Sequence, residues 1–360
     1  MPIMTSVWDW FEDKSRDRKD GKTQELREWF YKASRLVERD TEAALSALDS
    51  GKKLAEELSE PAWVLFFEHW RLQGLLHYKK NLNGIRELAS RIAAISRSDD
   101  FKNFPQRVCL HEDLVNAYML SDSTGDHHIV EDALRYIETE AAPDIECRFC
   151  LIAMRAEFDF ERGKIDEAEQ HARKLREMSE NTERGRNQHY FASASAALCE
   201  IGFRKNDVKL IAEASREGEL AARASNNLRD VATLTAWQAA AGKHPNAPYA
   251  FKLNANKRFQ LAIDTMRHVG SLPNDDYYDA LAAYHEWSGD IDQAVKTREE
   301  QLGKLEGMGK LKRIAETKIE RCRLLKSQGV LTPDLLDDAR DAANKLANPA
   351  AMLEKIKALT

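Results

Sequence analysis

The stretch GKIDEA, residues 163–168, decides the fold, because it returns as GDIDQA at residues 289–294. In each copy a glycine precedes an Ile-Asp pair by two residues and an alanine by five, and the copies lie 126 positions apart. A glycine there ends one helix in the left-handed conformation, and a small alanine lets the next helix fold back closely against it. After Gly163 the apolar or small residues Ile165, Ala168, Ala172, Leu175 and Met178 recur three and four apart, which is one face of an α-helix. Gly84 with Ala89 is a third copy of this punctuation, and Gly125 with Ala133 is a longer version.

Outward from these turns the whole chain keeps a helical rhythm, and strand signals are almost absent. Every proline after Pro2 (Pro61, Pro105, Pro143, Pro245, Pro248, Pro273, Pro333 and Pro349) stands where a helix would begin or has just ended. Proline costs about 3 kcal/mol in a helix interior and little at the first helical position, so these residues mark boundaries. In LTPDLL, residues 331–336, Thr332 is the expected N-cap and Pro333 the first helical residue. The boundaries predict helix pairs over 22–57, 60–97, 102–140, 144–180, 183–225, 226–269, 273–307 and 309–347, with a closing helix from 350. Taking Ala44, Ala89, Ala133, Ala168, Ala212, Ala262, Ala294 and Ala339 as equivalent second-helix positions gives a mean repeat of about 42 residues. The 126-residue interval is then three repeats.

This pattern resembles the tetratricopeptide-type helical repeat, whose units carry small residues near positions 8 and 20 and a turn glycine near 15. Ala156, Gly163 and Ala168 fall on those places in one unit, and Ala282, Gly289 and Ala294 in another. The resemblance implies an all-α fold, a right-handed superhelix of antiparallel helix hairpins (a TPR-like α-solenoid) with about 7–8 helix pairs. Residues 1–21 would form an N-terminal aromatic and charged cap segment, 22–347 the array, and 348–360 a C-terminal capping helix. The family unit is about 34 residues, so a mean of about 42 implies longer helices or inserted turns.

Composition agrees with a soluble protein that has a substantial core: 43% of its 360 residues are hydrophobic and 32% charged. A formal net charge of −6 supplies no general attraction for nucleic acid or anionic lipid, so neither is an expected partner. Five cysteines are few and odd in number for a disulfide framework, and the amino terminus lacks a signal-peptide pattern. No run of about 18 apolar residues occurs, and AWVLFF at 62–67 stops at Glu68. The expected location is the cytoplasm.

A stack of helix hairpins offers a long concave face lined by first helices, where the family binds peptides or helices of partner proteins. If family spacing holds, inward positions nominate Ala153, Glu157, Phe160 and Glu161 in one unit and Asp279, Ala283, Glu286 and Trp287 in the other. The lysines and asparagines of the family's carboxylate clamp are missing there, so these patches suit a basic or aromatic-rich partner. Phe160 and Trp287 each stand beside a turn glycine, where packing between neighbouring hairpins competes with partner contact. In VWDWFEDKSRDRKDG, residues 7–21, Trp8 and Trp10 are further candidates for partner contact, although a terminal hairpin also needs an aromatic lid. AWVLFFEHWRLQGLLHY, residues 62–78, is apolar over most of its circumference and reads as a helix sandwiched in the core.

Chemical motifs are sparse. CRFC at 147–150 has the spacing of a zinc or redox pair, but it has no second pair and falls in a helix, so two thiols on adjacent turns of a buried face are expected. DHHIVED at 126–132 offers His127 with Glu131 and His128 with Asp132, without the four ligands of a structural metal site. GKT at 21–23 lacks the glycine a phosphate loop requires, and no nucleophile elbow, HExxH or dinucleotide fingerprint occurs. The expectation is therefore a non-enzymatic scaffold or adaptor without metal or cofactor, binding a protein or peptide. The alternative is a peptide-responsive bacterial regulator resembling Rap-type proteins, in which a helical N-terminal part acts on a response regulator. LFFEHWR at 65–71 is its only local echo.

Overall fold

Helix follows helix, and several of the turns between them hold a residue in the left-handed conformation. The computed structural model describes residues 7–16, 21–37, 39–79, 82, 84–141, 147–182, 185–269 and 273–360. Among them are eighteen α-helices and no β-strand, with one isolated bridge between Thr182 and Gly185. Pro143 and residues 17–20 of the N-terminal charge run lie outside the described residues.

The chain divides into two compact units: residues 1–121, 126–151 and 307–309 in unit 1, and 122–125, 152–306 and 310–360 in unit 2. Unit 1 holds α1 (Val7–Arg16), α2 (Gly21–Leu36), α3 (Thr41–Glu57), α4 (Pro61–Gln73), α5 (Ile85–Ser96), most of α6 (Arg107–Asp122), α7 (His127–Glu140) and the first turn of α8 (Cys147–Glu161). Its core is aromatic. Phe66 and Phe67 on α4 are fully buried, Trp63 is 2% exposed, and Phe11 and Phe30 close around them. The stretch 62–78 thus occupies the core, and the helix runs on through a π-helical segment, Gly74–Lys79. Gly74 lies close to α3, and a Cβ there would come within 2.9 Å of the Leu45 Cδ2 methyl, which would have to shift.

Unit 2 continues α8 and adds α9 (Ile165–Glu180), α10 (Gln188–Lys205), α11 (Val208–Ala224), α12 (Leu228–Lys243), α13 (Tyr249–Val269), α14 (Asp275–Trp287), α15 (Ile291–Leu305), α16 (Leu311–Ser327), α17 (Pro333–Ala343) and α18 (Ala350–Lys357). From α9 to α13 and again from α14 to α18 each helix packs on the next, and α10, α12 and α14 also pack in sequence as alternate helices. Ala156 and Ala168 share one core with Phe191, Leu198 and Trp237.

The turns show why the motif repeats. Gly163 and Gly289 have φ of 76° and 79°, and the following N–H reaches back to close the helix, Lys164 to Asp159 O and Asp290 to His285 O, both at 2.9 Å. Asn206, with φ 55°, makes the same turn between α10 and α11, and Asp207 N–H bonds Gly202 O at 2.8 Å. Asparagine tolerates the left-handed region, so this repeat is hidden from a search for glycine. Between α6 and α7 the left-handed residue is Asp126, with φ 54°, rather than the expected Gly125.

Ala44, Ala89, Ala133, Ala168, Ala262, Ala294 and Ala339 are completely buried. Counting from the turn at Asn206 corrects one position: Ile211, not Ala212, is the counterpart of Ala168. Room for its larger side chain comes from Gly202, where a Cβ would lie 2.9 Å from Ile211 Cγ1.

Candidate interaction site

In unit 2, α10, α14, α15, α16 and α18 line a cavity of about 240 Å³. Its walls are charged. Five cations (Arg204, Arg298, Arg313, Arg323 and Lys355) face four carboxyls (Glu200, Asp279, Glu316 and Glu320), so the lining is not an acid patch.

Asp279, one turn into α14, sits at the centre. Arg298 from α15 donates to one oxygen and Arg313 from α16 to the other. Arg298 also donates to Gln301 at 2.9 Å, and Arg313 to the backbone oxygen of Asp275 at 3.3 Å. Burial opposes the charge on Asp279, but Arg313 and Arg298 outweigh it and hold the carboxyl well below the usual carboxylate range. Arg313 Nη1 lies 3.7 Å from Glu316, which also meets Lys312 at 3.5 Å and Arg204 at 3.9 Å. Lys312 donates in turn to Glu161 at the end of α8, and Ser123 Oγ donates to that carboxylate at 2.7 Å. An unbroken ionic chain therefore joins α8, α10, α14, α15 and α16. At one side Arg323 grips Glu286 with two bonds of 2.8 and 2.7 Å and donates to Glu320 at 2.8 Å.

Three carboxyls nearby stand outside this pairing. Glu200 is pushed well above the usual carboxylate range by burial, then by Asp276 and Asp279, which outweigh Arg313 and Arg204. Burial, then Asp230, Asp279 and Asp275, push Asp276 up to about 7. Burial, then Glu161, push Glu157 up to about 7 against Lys310 and Lys312. Lys310 is already engaged with Asp275 at 2.6 Å, and Lys312 with Glu161. Water reaches the surface of Glu157, so screening softens its shift, and Glu200 and Asp276 carry the argument. These residues lie on α8, α10 and α14.

The structure thus gathers Glu157, Glu161, Asp279 and Glu286 into one charged region, with Phe160 under the Arg204 guanidinium at 5.6 Å. Trp287 is half-buried, its ring edge-on to Phe203 at 5.7 Å and to His244 at 4.9 Å, so it packs between neighbouring hairpins. In unit 1, Trp10 is 8% exposed among Trp63, Phe66 and Phe104, a core position. Trp8 keeps 48% of its surface and leans on Phe30 and Trp70. Sequence reasoning missed the cations Arg204, Arg298, Lys312, Arg313 and Arg323. A signal was present in GKLKRIAETKIERCR, residues 309–323, whose charges recur three and four apart, but that helix lacks the small-residue pattern that locates inward positions.

Cys147 and Cys150 open α8, and His127 and His128 open α7. Among the described residues no group of three or more His, Cys, Asp or Glu side chains is placed to hold a metal ion, and no helix is long and apolar enough to cross a membrane. No protein-family model matches the chain, and no curated protein sequence matches it.

Proposed function

We propose that unit 2 is a TPR-like binding module, and that the chain acts as a scaffold or adaptor rather than a catalyst. Its ligand is a protein segment that brings lysine or arginine side chains to Glu200, Asp276 and Glu157. The supporting observation is that these carboxyls lie on α8, α10 and α14 and lack the cationic partners that their neighbours Asp279, Glu161 and Glu316 possess. A carboxyl whose proton is held up to about pH 7 is costly to ionise alone, and an incoming cation removes that cost. The ionic chain around Asp279 then acts as a fixed frame that keeps the helices in register rather than as the contact itself.

Affinity purification of the tagged full chain from its native extract, with mass spectrometry, identifies the partner. The triple variant Glu157→Gln, Glu200→Gln, Asp276→Asn should bind that partner at least about tenfold more weakly, the scale of one or two lost charge pairs. Wild-type affinity should rise as pH increases from 6 to 8, because the cation binds the ionised carboxyls. Equal binding by the triple variant across that range would refute the reading.

The second reading, a peptide-responsive regulator of Rap type, draws support from the division into two compact units. It requires a change in scattering profile on adding a short peptide, which a static scaffold does not show.

A further inference from the structure

The cavity of unit 2 holds more cations than its carboxylates engage. Asp279 is spent on Arg298 and Arg313, and Glu320 on Arg323. Burial keeps the proton on Glu200, which leaves Glu316 as the remaining anion among the described lining residues. Glu316 is shared by Lys312 at 3.5 Å, Arg313 at 3.7 Å and Arg204 at 3.9 Å. All three contacts exceed the ordinary hydrogen-bond range of about 2.7–3.2 Å.

Two cations of the wall are therefore unspent. Arg204, near the end of α10, makes no hydrogen bond among the described residues, and its guanidinium rests over Phe160. Lys355 on α18 makes neither a hydrogen bond nor an ion pair among them, and it acts on Glu316 only from a distance. The buried Nε atoms of Arg298 and Arg313 also lack acceptors, and the Arg298 side chain is 5% exposed. A wall short of acceptors is complementary to a ligand rich in them.

We infer that this cavity takes a small organic phosphate monoester, with the phosphate between Arg204 and Lys355 and the organic part against Phe203 and Ile319. Those last two side chains are apolar parts of the same wall. A phosphate monoester brings about two negative charges and three acceptor oxygens, which matches two unspent cations. A carboxylate brings one charge and two oxygens. The volume of about 240 Å³ far exceeds the roughly 10–15 Å³ that one water needs, so the organic part has room. This inference stands apart from the basic-segment reading, because cations rather than Glu157, Glu200 and Asp276 hold the ligand. Glu200 lines the same wall, and a bound dianion favours its protonated form, so the ester and a cation at Glu200 oppose each other.

The test is isothermal titration calorimetry of the full chain with phenyl phosphate at low ionic strength. Saturable one-site binding is expected, with a dissociation constant of about 1 mM or tighter. Inorganic phosphate lacks the apolar part and benzoate lacks the second charge, so each should bind at least about tenfold more weakly. Arg204→Met and Lys355→Met should each weaken phenyl phosphate at least about tenfold. Lys345, also exposed and unpaired among the described residues, is not part of the cavity wall, and Lys345→Met should bind as wild type does. Circular dichroism checks the fold of each variant, and exposed Lys355 keeps the test decisive if Arg204→Met unfolds. Absence of saturable heat, or unchanged affinity in Lys355→Met, would overturn the site. Benzoate or inorganic phosphate binding as tightly as phenyl phosphate would overturn the ligand class.

Discussion

Replacing Asp279 by asparagine keeps the shape of the side chain and removes the one charge shared by Arg298 and Arg313. Those side chains are 5% and 16% exposed, and the carboxylate 10%, so neither guanidinium can recover its full hydration. Breaking a buried pair of this kind costs about 3–5 kcal/mol, because a charge is left without compensation. With a urea slope of about 2 kcal/mol per molar, the unfolding midpoint of unit 2 should fall by roughly 2 M. The assay is urea unfolding followed by circular dichroism, with hydrogen exchange of α14 to α16 to locate the loss. The exposed Asp292, which only accepts from Gln328 at 2.6 Å, is the control and should change stability by less than about 0.5 kcal/mol. Adding Arg298→Met to Asp279→Asn should restore part of the loss, since it removes one of the stranded charges. The sign with pH follows from the depressed carboxyl. Its contribution is complete above the unfolded value of about 3.9 and is lost as pH falls through the lower folded value, so the wild-type advantage over Asp279→Asn should shrink in acid. A loss under about 1 kcal/mol at pH 7 would show that water already compensates both arginines and would refute the frame assigned to this network.

Other expectations separate residues that look alike in sequence. At Gly242 a Cβ would lie 2.5 Å from the backbone oxygen of Phe251, so Gly242→Ala should cost about 1–3 kcal/mol. At Gly303, inside α15, nothing lies within 4 Å, and Gly303→Ala should stabilise by about 0.5–1 kcal/mol; thermal melts of the two variants should move in opposite directions. Trp10→Ala should destabilise unit 1 by about 3–5 kcal/mol in urea, and Trp8→Ala by clearly less, as one ring is buried and the other half exposed. Asp276, held up to about 7 when folded and about 3.9 when unfolded, favours the native state most below pH 4, and that benefit is lost as pH rises to 7. Asp276→Asn should therefore gain roughly 1–3 kcal/mol over wild type between pH 5 and 8, a figure discounted for water contact and read from urea midpoints.

Sequence alone determined the helices and their turns, because these depend on neighbours a few residues away. Gly163, Gly289, Pro333 and the buried alanines were legible for that reason. Asn206 escaped because a second residue type reaches the same left-handed backbone. Only the tertiary structure decided which charges remain unpaired. Arg298 and Arg313 come to Asp279 from 19 and 34 residues away, Lys312 comes to Glu161 from 151, and no local pattern encodes those meetings. The burial of Trp10 belongs to the same class. Hydrophobic periodicity records which face of a helix turns inward, whereas electrostatic pairing depends on what distant helix meets that face.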